Sequence, residues 1–115
     1  MGIALRGVTA PGDLVVTLPD FLGDPVALYY SRRHGWVFPP AAEWSEIDPD
    51  WDAAILTHDA VRWLDGLRTK GAVWIGMVSV HQERIWRANP DLAAYIERHF
   101  ELSSQGAGYV IFHAR

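Results

Sequence analysis

Hydrophobic residues in this chain follow two different periods, which predicts alternating strands and helices. Nearly uninterrupted apolar runs at 14–18 and 72–79 are typical of strands that are covered on both faces. In 57–70 the apolar residues instead recur every three or four positions, as on one face of a helix. The full set of predicted elements is a helix at 3–10, strands at 13–18, 36–38 and 72–79, helices at 25–33, 57–70, 82–88 and 91–99, and a hairpin formed by 100–104 and 109–113.

This order of elements is typical of an α/β sheet whose central strands run parallel. We therefore expect a three-layer sandwich, in which a small, mostly parallel sheet has helices on both faces and an antiparallel hairpin at its C-terminal end. The length of 115 residues fits one soluble domain, 1–115. The first helix begins abruptly, which indicates a fragment of a longer protein, with Met1-Gly2 interpreted as a cloning remnant.

Residues with special backbone preferences mark the ends of several predicted elements. Asp24-Pro25 is typical of a helix start, because proline is tolerated at the first helical position. Gly35 is typical of the residue that ends a helix in the left-handed conformation. We expect it to do so here and to lead Trp36 directly into the second strand.

Composition narrows the chemistry that this domain can perform. The chain has no cysteine, which excludes disulfides, zinc–thiolate sites, iron–sulfur clusters and cysteine nucleophiles. A formal net charge of −4 argues against general affinity for nucleic acid. No apolar run reaches the roughly 18 residues that a membrane span requires. We expect no cofactor in this segment and no nucleic-acid partner.

The first candidate for ligand chemistry is an acidic stretch at 43–52. Its carboxylates are those of Glu43, Glu46, Asp48, Asp50 and Asp52. The spacing superficially follows a calcium-binding loop, but Ala53 stands where that loop needs glycine and Asp59 where it needs glutamate. Its Asp-x-Asp series also occurs in the metal and nucleotide-sugar site of soluble glycosyltransferases, but three residues are a weak signal. We favour a solvated loop that binds no metal.

A second candidate joins two cations to two aromatic residues. Arg32 and Arg33 follow Tyr29 and Tyr30 at the end of a predicted helix. Because arginine offers a planar set of donors, this group could hold a phosphate or the headgroup of a lipid. The alternative is that both cations only complement the negative end of the helix dipole. With a net charge of −4, we expect the alternative.

A third candidate lies after the apolar strand at 72–79, where Ser79, His81 and Glu83 are close in sequence. Ligands of open α/β sheets enter the crevice beyond the carboxyl ends of strands, which makes Ser79 and His81 candidate ligand-binding residues. Residues so near one another do not easily form a catalytic relay, because known triads combine separate segments. We therefore assign no catalytic residue.

Six tryptophans form a separate group of candidates. Trp63, Trp74 and Trp86 fall on regular elements and are expected to pack in the core. The other three, Trp36, Trp44 and Trp51, fall on or beside predicted loops. There they could stack on sugar rings or meet a membrane surface, and we count Trp36 as a candidate ligand-binding residue.

Three stretches of sequence together resemble a known family. The segment 24–36 reads Asp-Pro-Val-Ala-Leu-Tyr-Tyr-Ser-Arg-Arg-His-Gly-Trp and follows a Pro-Gly-Asp turn and a hydrophobic strand. Lys-Gly-Ala-Val-Trp-Ile at 70–75 leads from a helix into a strand, and Tyr-Val-Ile-Phe at 109–112 forms the terminal strand. This layout, from Pro11 to Phe112, resembles the soluble C-terminal portion of bacterial dolichyl-phosphate-mannose–protein mannosyltransferase-like membrane proteins.

The resemblance implies a location and a role rather than a catalytic site. Members of that family are membrane glycosyltransferases that take a sugar from a polyprenyl-phosphate donor, and their catalytic carboxylate lies among membrane helices. This segment would accordingly be an accessory domain on the extracytoplasmic face of a bacterial membrane, where it positions an acceptor or covers the active face. The implied partners are the membrane-embedded remainder of its own chain and a lipid-linked sugar or acceptor.

The residues leave two other functions open. The chain could be a free-standing module that binds a small ligand or carbohydrate in the crevice beyond the strands of Val15 and Val78. A compact hydrolase is disfavoured, because no nucleophile–base pair is visible in the sequence. A long hydrophobic region encoded ahead of this segment in the native gene would favour the transferase domain over both.

Overall fold

The computed structural model describes residues 1–18, 31–38 and 59–115. These residues form an α/β fold with one five-stranded sheet. The helices described are α1 (Gly2–Val8), α2 (Asp59–Thr69), α3 (Ser79–Ala88) and α4 (Pro90–His99), and the strands are β1 (Leu14–Leu18), β2 (His34–Val37), β3 (Ala72–Val78), β4 (Phe100–Gly106) and β5 (Tyr109–Ala114).

The sheet is mixed, with the strand order β2-β1-β3-β5-β4. β1 pairs in parallel with both β2 and β3, whereas β5 pairs antiparallel with β3 and β4. The expectation of a mostly parallel sheet is thus met only in its first half. The reason lies in the hairpin, whose apolar second strand takes the inner position and whose polar first strand, β4, forms the edge.

Alternating side chains of the strands enter two separate hydrophobic cores. Val16, Ile75 and Phe112 contribute to the larger core, which α2, α3 and α4 cover. On the other face, Val15, Trp74 and Ile111 pack with Leu5 of α1. Because strand residues alternate between faces, the nearly continuous apolar runs of β1 and β3 serve both cores. The described residues therefore place helices on both faces of the sheet.

Most predicted elements are present, with shifted ends. β2 begins at His34, two residues before the predicted strand, and Ser79 begins α3 instead of ending β3. Asn89 divides the last two helices as expected, since its side chain accepts a hydrogen bond from the amide of Leu92. The predictions for 19–30 and 39–58, including the start at Asp24-Pro25 and the acidic stretch, lie outside the described residues.

The prediction for Gly35 is corrected by the structure. Arg32 adopts the left-handed conformation (φ 54°), whereas Gly35 lies within β2, directly opposite Val15 of β1. A Cβ atom on Gly35 would collide with the backbone of Val15, where the carbonyl carbon would lie 2.7 Å and the amide nitrogen 2.8 Å away. Glycine is therefore needed for the close approach of two strands and not for ending a helix.

We expect Gly35→Ala to lower the free energy of unfolding by about 2 kcal/mol, because the added methyl group pushes β2 away from β1. Gly66→Ala in α2 is the matched control, since a Cβ there meets no atom within 4 Å. Alanine in that helix interior should stabilise the protein by up to about 1 kcal/mol. Urea denaturation of the two variants tests this, and equal effects would contradict the close approach.

Candidate functional site

Most candidate residues from the sequence lie at the two opposite ends of the parallel strands. We call these two sides of the sheet the carboxyl edge and the amino edge. Ser79 and His81 are at the carboxyl ends of the parallel strands, whereas Arg32 and Arg33 precede β2 at the amino ends. Trp36 lies in β2, paired with Val16, and packs partly buried against the larger core. The structure thus does not bring these candidates together into one site. Tyr29 and Tyr30 lie outside the described residues.

The carboxyl edge contains the topological switch point of the sheet. β1 lies between β2 and β3, so the chain leaves β1 toward one side and later returns to pair on its other side. In open α/β sheets such a point, beyond the carboxyl ends of the two diverging strands, is where ligands bind. The end of β3 and the first turn of α3 border this position.

Helix geometry separates the polar residues at this edge. α3 begins directly after β3, and the amide of Ser79 donates to the carbonyl of Gly108 across 2.9 Å. Ser79 and Glu83 are four residues apart and share one side of α3. His81, two residues from each of them, is only 2 % exposed. The three side chains therefore do not converge as a relay would require.

At the amino edge, the guanidinium of Arg33 binds the C-terminal end of α1. Its Nε donates to Thr9 Oγ1 across 2.8 Å, and Nη2 donates to the carbonyl of Thr9 (2.9 Å) and to that of Arg6 (3.3 Å). Nη1 donates to the carbonyl of Arg32 across 3.2 Å. Four of its five N–H groups are thus used within the fold, and carbonyls left open at the end of α1 gain charged donors.

The left-handed backbone conformation of Arg32 helps to place the Arg33 side chain at the end of α1. The amide of Arg33 donates to Ser31 Oγ across 3.1 Å, and the turn directs the Arg33 side chain toward α1. The Arg32 side chain is exposed to solvent. The pair that the sequence presented as equivalent is therefore divided into one structural arginine and one exposed arginine.

Sequence reasoning missed a polar contact beneath α1. Asp13 Oδ2 accepts hydrogen bonds from the amide of Ala10 and from Trp74 Nε1, each 2.9 Å long. These two donors, the Ala10 amide above all, hold the pKa of Asp13 below its ordinary value of 3.8. The ring of His113 stacks on Trp74 with 4.2 Å between centroids. The available signal was an indole N–H within an apolar strand, which needs an acceptor when buried.

A second missed network joins α2 to α4. The hydroxyl of Tyr95 donates to Asp65 Oδ1 across 2.6 Å and accepts from Arg68 Nε across 2.8 Å. The hydrogen bond from Tyr95 lowers the pKa of Asp65, and burial is the main cause that raises the pKa of Tyr95. Since donors and acceptors satisfy one another, this network fixes the packing of two helices.

Neither a cluster of metal ligands nor a membrane-spanning helix is present in the part of the chain that the structure describes. There, no three histidine, aspartate or glutamate side chains are grouped so that they could hold a metal ion. None of the helices described there has the length and apolar character needed to cross a membrane.

The class of protein that the fold defines is an α/β domain with a mixed five-stranded sheet and a switch point between β1 and β3. No protein-family model matches this chain, and no curated protein or solved structure matches it either.

We expect Arg33→Gln to lower the free energy of unfolding by about 2 kcal/mol, because hydrogen bonds from a charged group to the end of α1 are lost. Arg32→Gln removes the same charge from an exposed neighbour and should change stability by less than about 0.5 kcal/mol. Urea denaturation gives both values. Hydrogen exchange at the amides of Leu5 and Thr9 should accelerate only in the Arg33 variant; equal behaviour would refute the assignment.

Acid should weaken the contact of Asp13. A carboxylate whose pKa is lowered by folding contributes stability above its unfolded pKa and loses that contribution as the pH falls through its folded pKa. Asp13→Asn should therefore be less stable than the wild type near neutral pH, and the difference should shrink below about pH 4. Unfolding free energies from about pH 7 to about pH 3 measure it. A difference independent of pH would show that the charge is irrelevant.

Proposed function

We propose that this chain is an accessory extracytoplasmic domain of a membrane glycosyltransferase that uses a polyprenyl-phosphate sugar. The observation that carries the proposal is where the resembling motifs fall in the fold. Gly35 allows β2 to approach β1, Gly71 adopts a positive φ (111°) between α2 and β3, and Trp74 binds Asp13. The motif residues are thus those that build the sheet, which supports a common domain architecture.

The proposed architecture is a three-layer sandwich formed by a single domain. Its layers are α1, the mixed sheet, and the group of α2, α3 and α4. Several polar side chains that could serve chemistry are instead used to hold these layers together. Arg33 binds α1, Asp13 binds Trp74, and Tyr95 joins α2 to α4. This use of polar groups supports a positioning or covering role beside a catalytic centre elsewhere in the same protein.

The proposal is tested with the complete gene product. Its coding sequence should contain a long hydrophobic region beside this segment. Membranes containing the complete protein should transfer sugar from a polyprenyl-phosphate donor, and removal of residues 11–112 should reduce that transfer while the membrane part is still inserted. The purified 115-residue chain alone should show no turnover. Robust transfer by the isolated chain would overturn an accessory role.

A second candidate function is a module that binds a small ligand or carbohydrate at the carboxyl edge. The observation that favours it is the switch point between β1 and β3, which is the usual ligand position in open sheets. Titration with mono- and disaccharides, followed by amide chemical shifts, tests it. Shifts confined to Ser79, Val80 and His81 would support this module.

A further inference from the structure

We propose that the amino edge of the sheet is a contact surface for an anionic lipid bilayer. The surface consists of the side chains of Arg6, Arg32, Lys70 and Arg98, which we call the basic edge. The inference deepens the proposed function, on which it rests, because it states which side of the domain faces the membrane.

Topology places these four cations at one edge. The registers Leu14↔His34 and Leu14↔Ala72 align the beginnings of the three parallel strands. Arg32 stands two residues before β2, and Lys70 stands two residues before β3. Neighbouring strands are about 5 Å apart, so both residues lie at the amino edge of the sheet.

The other two cations reach this border through the ends of helices. Arg6 is in the last turn of α1, the end that Arg33 binds from beside β2. Arg98 is in the last turn of α4, and the amide of Arg115 donates to the carbonyl of His99 across 2.9 Å. Because β5 runs antiparallel to β3, Arg115, which follows the last residue of β5, lies at the amino edge.

Among the described residues, basic side chains outnumber acidic side chains at the amino edge of the sheet. The carboxylates described there all have local partners. Asp13 accepts from Trp74 and Glu97 accepts from Trp86, whereas Asp65 pairs with Arg68 at 3.5 Å and Glu101 pairs with Arg115 at 3.4 Å. Within residues 1–18, 31–38 and 59–115, the four cations of the basic edge form no ion pair. The described residues of the amino edge therefore carry an excess of positive charge, on a chain whose formal net charge is −4.

Interaction with helix dipoles explains only some of the cations at the amino edge. Arg33 donates directly to carbonyls at the end of α1, and Arg115 Nε donates to the carbonyl of Glu97 near the end of α4. These two arginines satisfy the exposed helix ends with short hydrogen bonds. Arg98 therefore stands at a helix end that already has a cationic partner, and the side chains of Arg32, Lys70 and Arg98 are all exposed.

An exposed apolar residue beside these cations favours a bilayer over a nucleic acid as the partner. Val8, at the end of α1, is 41 % exposed, and it leads into the exposed Pro11-Gly12 turn before β1. Basic side chains around an exposed aliphatic group suit the interface of a bilayer, where phosphates and acyl chains are both within reach.

The test compares two variants that lose the same charge from different sides of the domain. Arg32→Gln/Lys70→Gln removes two cations of the basic edge. Arg62→Gln/Arg84→Gln is the control, because Arg62 lies near the start of α2 and Arg84 lies in the middle of α3, which begins at the carboxyl edge. Arg62 is about 10 Å along α2 from the amino edge, and Arg84 is only about 8 Å along α3 from the carboxyl edge.

Vesicles of phosphatidylglycerol and phosphatidylcholine in equal amounts should bind the wild type at low ionic strength. Vesicles of phosphatidylcholine alone should not. The Arg32→Gln/Lys70→Gln variant should bind the anionic vesicles about tenfold to thirtyfold more weakly, as expected for two cations near such a surface. The control variant should stay within about twofold of the wild type, and salt should weaken wild-type binding.

Four outcomes would overturn the proposal. Three are no binding of the wild type to anionic vesicles, an equal loss in both variants, and equally strong binding of single-stranded DNA. Saturating inorganic phosphate that abolishes vesicle binding at constant ionic strength would also overturn it, by showing a site for the free ion. Urea denaturation confirms that both variants are folded. Sugar transfer by the complete protein is measured separately, so failure of the basic edge is distinguishable from failure of the proposed function.

Discussion

The guanidinium of Arg33 holds α1 at the sheet, and within the described part of the chain α1 is the helix that covers this face. Leu5 of α1 lies on Gly76 of β3, where a Cβ atom would come within 2.7 Å of the leucine side chain. α1 has only seven residues, too few for a stable helix by itself. The hydrogen bonds that Arg33 donates to α1 and the burial of Leu5 together stabilise this short helix.

Polar side chains connect the helices and the sheet at several separate places instead of converging on one site. Asp13 joins the turn after α1 to Trp74, and His113 extends the same row by stacking on the indole. On the other face, Trp86 stacks on Phe112 while its Nε1 donates to Glu97 across 2.8 Å. Aromatic residues with one polar atom can thus bury their rings and satisfy that atom at the rim of the core.

The two edges of the sheet consequently differ in character. The carboxyl edge has the switch point and the buried His81, whereas the amino edge collects helix ends and basic side chains. Helix C-terminal ends carry partial negative charge and favour nearby cations, so α/β topology by itself tends to concentrate basic residues there. A domain that lies on an anionic surface can use that concentration without a dedicated binding loop.

The class of fold and most elements could be predicted from the sequence, because apolar runs, helical periodicity and the Asn89-Pro90 break are local signals. The sequence did not show that β5 rather than β4 pairs with β3, although β5 is the more apolar strand of the hairpin. Nor did it separate Arg32 from Arg33, or show that Gly35 serves a strand contact. Those features depend on residues distant in the chain, Thr9 and Val15, and only the tertiary structure brings them together.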